Sequence, residues 1–242
     1  ILSGLVGSEM CIRDSLMAES RNFDQFASSY EVEMADALGY MGGESSYYVA
    51  RKVHMIAREF KNSLPRRILD FGCGIGLAIP FLNEAFSPDL LVCSDESEES
   101  LNILRARHPD VCAVDLGHVD IEAFDLVFVA NVLHHIEPSL RQDVVHDVCL
   151  RLRPGGVIGV FEHNPLNPVT RRIVSNCKFD KGVKLLRKSE VIAHLSDVKE
   201  MSVLKSGYCL FFPEPLKKMN WIEQYLRWIP LGGQHFVLAQ RR

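Results

Sequence analysis

The chain has 242 residues, 47% apolar and 24% charged, a balance that places it among globular proteins and excludes fibrous and disordered classes. Its formal net charge of -4, without an extended lysine or arginine cluster, lacks the footprint of a nucleic-acid binder and points to a small-molecule partner. No apolar run reaches the roughly 20 residues that span a bilayer, and the 7 cysteines stand singly with no C-x-x-C pair, as reduced core residues of a cytoplasmic protein do.

The opening stretch, 1–16, has neither an apolar period nor the basic and apolar regions of a signal peptide. Its segment LVGSEMCIRDS resembles the read-through translation of a sequencing adapter, so Met17 reads as the natural start; a disordered native tail is the alternative. Apolar residues then recur at helical spacing over 21–38 (Phe23, Phe26, Tyr30, Met34) and 45–62 (Val49, Val53, Ile56, Phe60), predicting an N-terminal helical cap over 17–63. From there short β-rich runs alternate with helical segments. Strands are predicted at 66–71, 90–95, 111–114, 124–130 and 156–162, and helices at 76–86, 97–107 and 139–152. That alternation predicts a doubly wound α/β domain around a parallel sheet, with its core at 64–164. The remainder, 165–242, predicts helices at 168–177, 189–197 and 215–228 and a closing antiparallel strand pair at 201–211 and 234–240. Nothing divides the chain after 17 into separate domains.

The stretch RRILDFGCGIGLAIPFL, 66–82, carries the chemistry. Gly72, Gly74 and Gly76 follow a strand ending at Asp70 and Phe71, with Cys73 inside the turn. A dinucleotide fingerprint G-x-G-x-x-G needs its third glycine at position 77, which is Leu77; the spacing is G-x-G-x-G. Asp70 would repel a pyrophosphate but suits a cationic ligand such as the amino-acid part of S-adenosylmethionine, and residues without a Cβ let the backbone approach it. Asp95, at the next strand end, can accept from both hydroxyls of a ribose, and Asp115 at the third from an adenine amine. Asn131 ends the fourth strand, so polar groups gather along the carboxyl edge where open α/β sheets bind ligands.

Taken in order, ILDFGCGIG, LVCSDESEESL, AVDL, FDLVFVANVLHHI and LRPGGVIGVFE resemble a class I S-adenosylmethionine-dependent methyltransferase over 66–162. The resemblance implies strand order 3-2-1-4-5-7-6 with the seventh strand antiparallel. It assigns Asp70, Gly72, Cys73, Gly74 and Gly76 to the methionine part of the cofactor and Asp95 to the ribose. Asp115 and Leu116 fall to adenine, and Asn131 lies beside the ligand. Glu96 stands where the family commonly has an apolar residue, which leaves adenine packing on that side open. FDQFASSY and EHNPLNPVTRRIVSNCKFD also resemble a bacterial subgroup. Glu162 and His163 leave the fifth strand at the sheet edge where an acceptor is expected, with local turn structure as the alternative, and Asn164 and Tyr30 are further acceptor-side candidates.

The reading is methyl transfer to a small acceptor through an oxygen, nitrogen or carbon nucleophile, chiefly by alignment, with no metal required by the sequence. A non-catalytic cofactor-binding module and, further off, a nicotinamide-dependent oxidoreductase are the alternatives. If a side-chain base exists, His135 and His163 are the candidates, since adjacent strand ends bring them to one side of the cleft. Of His134 and His135, one is expected to face the cleft and the other to pack locally. Trp221, Tyr225 and Trp228 share a predicted helical face, expected to be core, with a lid or apolar acceptor wall as the second choice.

Overall fold

A computed structural model describes residues 45–60, 63–178 and 180–242. The predicted helix at 21–38, Tyr30 and the opening segment lie outside the described residues.

Seven strands form one sheet: β1 (Arg67–Phe71), β2 (Leu90–Ser94), β3 (Cys112–Val114), β4 (Phe124–Ala130), β5 (Leu152–His163), β6 (Met201–Cys209) and β7 (Gln234–Arg241). Their order is β3-β2-β1-β4-β5-β7-β6. The first five run parallel, and β7 is antiparallel to both β5 and β6, the expected topology. Around the sheet lie α1 (Ser45–Ala57), α2 (Ile79–Phe86), α3 (Glu98–Arg107), α4 (Arg141–Leu150), α5 (Pro168–Asn176), α6 (Lys188–Asp197) and the single turn α7 (Glu223–Leu226).

Period-two alternation sends the strand side chains to two cores. Ile68, Cys93, Leu126, Phe128, Phe161 and Phe236 pack with Val53 and Ile56 of α1, Ile79 and Leu82 of α2 and Leu101 and Leu104 of α3. Their neighbours Leu69, Phe71, Val127, Val129, Val160 and Val237 turn the other way, onto α4 and α6. Strands covered on both faces need continuous apolar runs, and FDLVFVA of β4 is buried along nearly its whole length. Helix α3 is closed by local chemistry: the Ser97 side chain accepts from Ser100 N, with Glu98 and Glu99 in the first turn and Arg105 and Arg107 in the last.

Four boundaries differ from the sequence reading. Helix α1 ends at Ala57 and gives way to a turn. Helix α2 begins at Ile79, not at 76, because Gly76 holds a left-handed φ of 83° that no helix continues through. The Pro-Gly-Gly turn lies within β5: Leu152 pairs with Phe124, the register breaks, and Val157 resumes pairing with Leu126. The predicted helix at 215–228 is instead a 3₁₀ segment, Glu214–Ile222, followed by α7. A tighter coil does not keep spacings of four and seven on one face, and Trp221, Tyr225 and Trp228 stand 67%, 65% and 77% exposed rather than in the core.

Candidate active site

The glycine turn is built by three different constraints. A Cβ on Gly72 would fall inside the Val132 side chain, and one on Gly76 would lie 2.7 Å from Ile79 Cδ1. Gly74, with φ 53°, would place a Cβ in open space, nothing lying within 4 Å. Gly72 and Gly76 therefore serve packing, and Gly74 faces an open side. Cys73 is buried in the same turn.

Asp70 shares a sheet face with Ile68, yet it is a carboxylate buried at 3% exposure whose Oδ2 has no hydrogen-bond partner. Burial, then the charge of Asp95, raises its pKa to about 7, against the pull of Lys52. Lys52 is buried on the inner stripe of α1, and its pKa falls to about 8 through burial, partly offset by Cys209, Glu162 and Asp70. Sequence reasoning missed this lysine. Its signal was present, since position 52 falls at helical spacing with Val49, Val53 and Ile56. Asp95 Oδ2 accepts from Gly74 N at 2.7 Å and Oδ1 from Ser97 N at 2.9 Å, so this side chain fixes the turn from the neighbouring strand end. Glu96 beside it is exposed. Asp115 is exposed and caps a short 3₁₀ turn, Leu116–His118, through Gly117 N, while its other oxygen meets His118 Nδ1 at 2.6 Å. Leu116 is half-buried at the start of that turn. Asn131 leaves β4 in a left-handed conformation, φ 62°, and accepts from Gln234 Nε2 at 2.9 Å.

The acceptor-side candidates behave differently from one another. Glu162 is fully buried; its Oε1 accepts from Val132 N (3.0 Å) and Leu133 N (2.7 Å), and its Oε2 meets His134 Nδ1 at 2.6 Å. Both oxygens are thus engaged within the chain, and Glu162 holds the segment after β4 to the end of β5. Asn164 is buried as well: its amide donates to Pro230 O and Gly232 O, and its oxygen accepts from Leu166 N. It fastens the corner after β5 to the loop before β7. His134 packs inward, and His135, one residue on, is less buried. Ring centroids of His134 lie 4.1 Å from His135 and 5.1 Å from His163.

The electrostatics of this cluster centre on His134. Burial would lower its pKa, but Glu162 and Asp180 raise it to about 9. Glu162 and Asp180 are each pushed up by burial and brought down to about 2, chiefly by His134. Burial, with His134 alongside, takes His135 down to about 3 and His163 to about 4, so neither ring holds a proton readily at neutral pH. Asp180 follows α5, remote in sequence from both strand ends, and only the fold brings it here.

Comparison with known proteins agrees with this fold. Residues 69–158 match a family model described as a methyltransferase domain. Mouse tRNA N(3)-cytidine methyltransferase METTL2 is 27% identical over 135 residues, covering 50% of this chain and 33% of that protein. The uncharacterized methyltransferase sll0829 of Synechocystis is 32% identical over 108 residues, covering 42% of this chain and 50% of the other. A solved SAM-dependent methyltransferase from Archaeoglobus fulgidus superposes with a TM-score of 0.59 at 15% identity, covering 82% of this chain and 95% of that one. The chain carries a methyltransferase domain with the fold of the S-adenosylmethionine-dependent class. It spans one third to one half of the length of those two curated relatives.

Proposed function

We propose that this chain transfers the methyl group of S-adenosylmethionine to a small-molecule acceptor. The observation that carries the cofactor assignment is the unpartnered, buried Asp70 Oδ2 beside a turn that is open at Gly74. A cationic amino group would satisfy that oxygen, whereas a pyrophosphate would not. Asp95 would hold the ribose, with Cys73 and the glycine backbone along the methionine part and Asp115, Leu116 and Glu96 around adenine. Asn131 would flank the cofactor from β4.

When bound, S-adenosylmethionine supplies a sulfonium-activated methyl group, so the chain's own task is alignment, which can contribute about 7–11 kcal/mol to lowering the barrier. Glu162 accepts from Val132 and Leu133, and Val132 packs against Gly72, so the proposed acceptor side would be tied to the proposed cofactor turn. His135 and His163 would border the acceptor there, with His134 positioned behind them. The net charge of -4 favours a small acceptor over an RNA.

The test is an acceptor panel of phenols, enols, carboxylates and amines, with tRNA as a separate arm, read by mass spectrometry for S-adenosylhomocysteine and methylated product. Product in a small-molecule arm supports the reading. Product with tRNA alone overturns the acceptor class. Tight cofactor binding without product in any arm favours a non-catalytic module.

A further inference from the structure

We propose that His134, His135 and Asp180 form a site for one divalent transition cation, zinc being the probe of choice, at the ends of β4 and β5. One donor atom from each residue lies within 4.8 Å of the other two. His134 Nε2 is buried and makes no hydrogen bond. It stands 3.5 Å from Asp180 Oδ1, and His135 Nε2 stands 3.3 Å from that same oxygen. Both separations exceed the roughly 2.7–3.2 Å of a good N–H···O bond. They match the edge of a tetrahedron: donors about 2.0–2.2 Å from one ion lie roughly 3.3–3.6 Å apart.

Glu162 supplies the outer support such a ligand needs. By accepting from His134 Nδ1 it fixes the ring's orientation and aims Nε2 at Asp180, the carboxylate–histidine arrangement found behind metal-bound imidazoles. The charge count points the same way. Glu162 is buried and Asp180 partly buried, and a divalent ion held by two neutral imidazoles would balance the two carboxylates. Two imidazoles with a single carboxylate suit zinc, iron, copper or nickel rather than magnesium or calcium. Three protein ligands leave a coordination position open, as in catalytic rather than structural sites.

The open position would take an acceptor hydroxyl or enol oxygen. Coordination weakens the O–H bond, the proton leaves to solvent, and the electron pair stays on oxygen. That pair forms the bond to the methyl carbon as the carbon–sulfur pair returns to sulfur. This role rests on the methyltransferase reading, but the cation site does not.

The experiment equilibrates the full chain with zinc, removes free ion by dialysis and counts bound metal by elemental mass spectrometry. Cofactor affinity is measured separately by calorimetry. About one zinc per wild-type chain is expected, falling at least tenfold in Asp180→Asn and in His135→Ala, with cofactor affinity equal in all three. No retention by the wild type, or a full equivalent in either variant, overturns the site. If a variant does not fold, cobalt binding to the unaltered chain decides. Visible d–d absorption displaced by equimolar zinc supports the site, and its absence overturns it. Loss of methyl transfer with the metal count intact would instead fault the functional reading.

Discussion

Glu162 and His134 meet at 2.6 Å in a position where neither reaches solvent, and the same carboxylate caps two backbone amides of the segment that packs on Gly72. One buried side chain thus couples the ends of β4 and β5 to the glycine turn after β1. Three adjacent parallel strands are held at their carboxyl edge by polar contacts rather than by loop packing alone.

Removing that carboxylate should be costly. Glu162→Ala leaves His134 with Asp180 as its remaining counter-ion and two backbone amides unpaired, a loss of about 3–5 kcal/mol. Glu162→Gln keeps an acceptor for the amides and should cost about 1–3 kcal/mol. Urea denaturation should rank wild type above Gln above Ala. An alanine variant as stable as wild type would show that this contact does not hold the fold.

Asp95 links cofactor and turn. Its oxygens accept from Gly74 N and Ser97 N, and a carboxylate is able to accept further bonds from ribose hydroxyls. Asp95→Ala should weaken S-adenosylmethionine binding by about 1–3 kcal/mol, as for polar groups left unpaired in a desolvated site. Titration calorimetry measures it. A lower melting temperature with unchanged affinity would make Asp95 a turn anchor only.

Gly72 and Gly74 should separate folding from binding. Gly72→Ala drives a methyl group into Val132 and should lower the melting temperature markedly. Gly74→Ala meets no neighbour, so its cost is the left-handed φ of 53°, about 1–2 kcal/mol, or roughly 2–8 °C in a domain of this size. Its affinity for the cofactor should fall further than its stability does. Equal behaviour of the two variants in thermal melts and binding would return Gly74 to a purely structural role.

The parallel sheet was legible because short apolar runs alternate with helical segments, and its strand order followed from the resemblance to the methyltransferase family. Helix starts were less so. The glycines that announce the turn also delay α2, and periodicity cannot register a positive φ at Gly76. After β5, three consecutive residues take different partners that adjacency alone could not separate: Glu162 meets His134, His163 stacks near the same ring, and Asn164 turns to the loop before β7. Asp180 and Lys52 join the site through tertiary packing, Lys52 from a helix preceding every strand and Asp180 from beyond β5. Local spacing could place Lys52 on a buried stripe but could not say which carboxylates it would meet.

The last expectation concerns pH and the cofactor. Asp70 has its pKa raised from 3.8 to about 7 by burial and then by Asp95. For an acid shifted upward, the neutral form is favoured in the folded state. The contribution to stability is therefore complete below 3.8 and is lost as pH rises through about 7. The cofactor-free protein should melt at a lower temperature at pH 8 than at pH 6 on this account. A cationic amino group reverses the preference by stabilising the carboxylate, so binding below pH 7 must expel the Asp70 proton. Affinity should then fall by up to about tenfold per pH unit below 7 and level off above it. Calorimetry at pH 6 in two buffers of different ionisation enthalpy reads the released proton directly. Asp70→Asn should bind more weakly at pH 8 and show neither the proton release nor the slope. A wild-type chain that releases no proton at pH 6 would remove Asp70 from contact with the cofactor's charge.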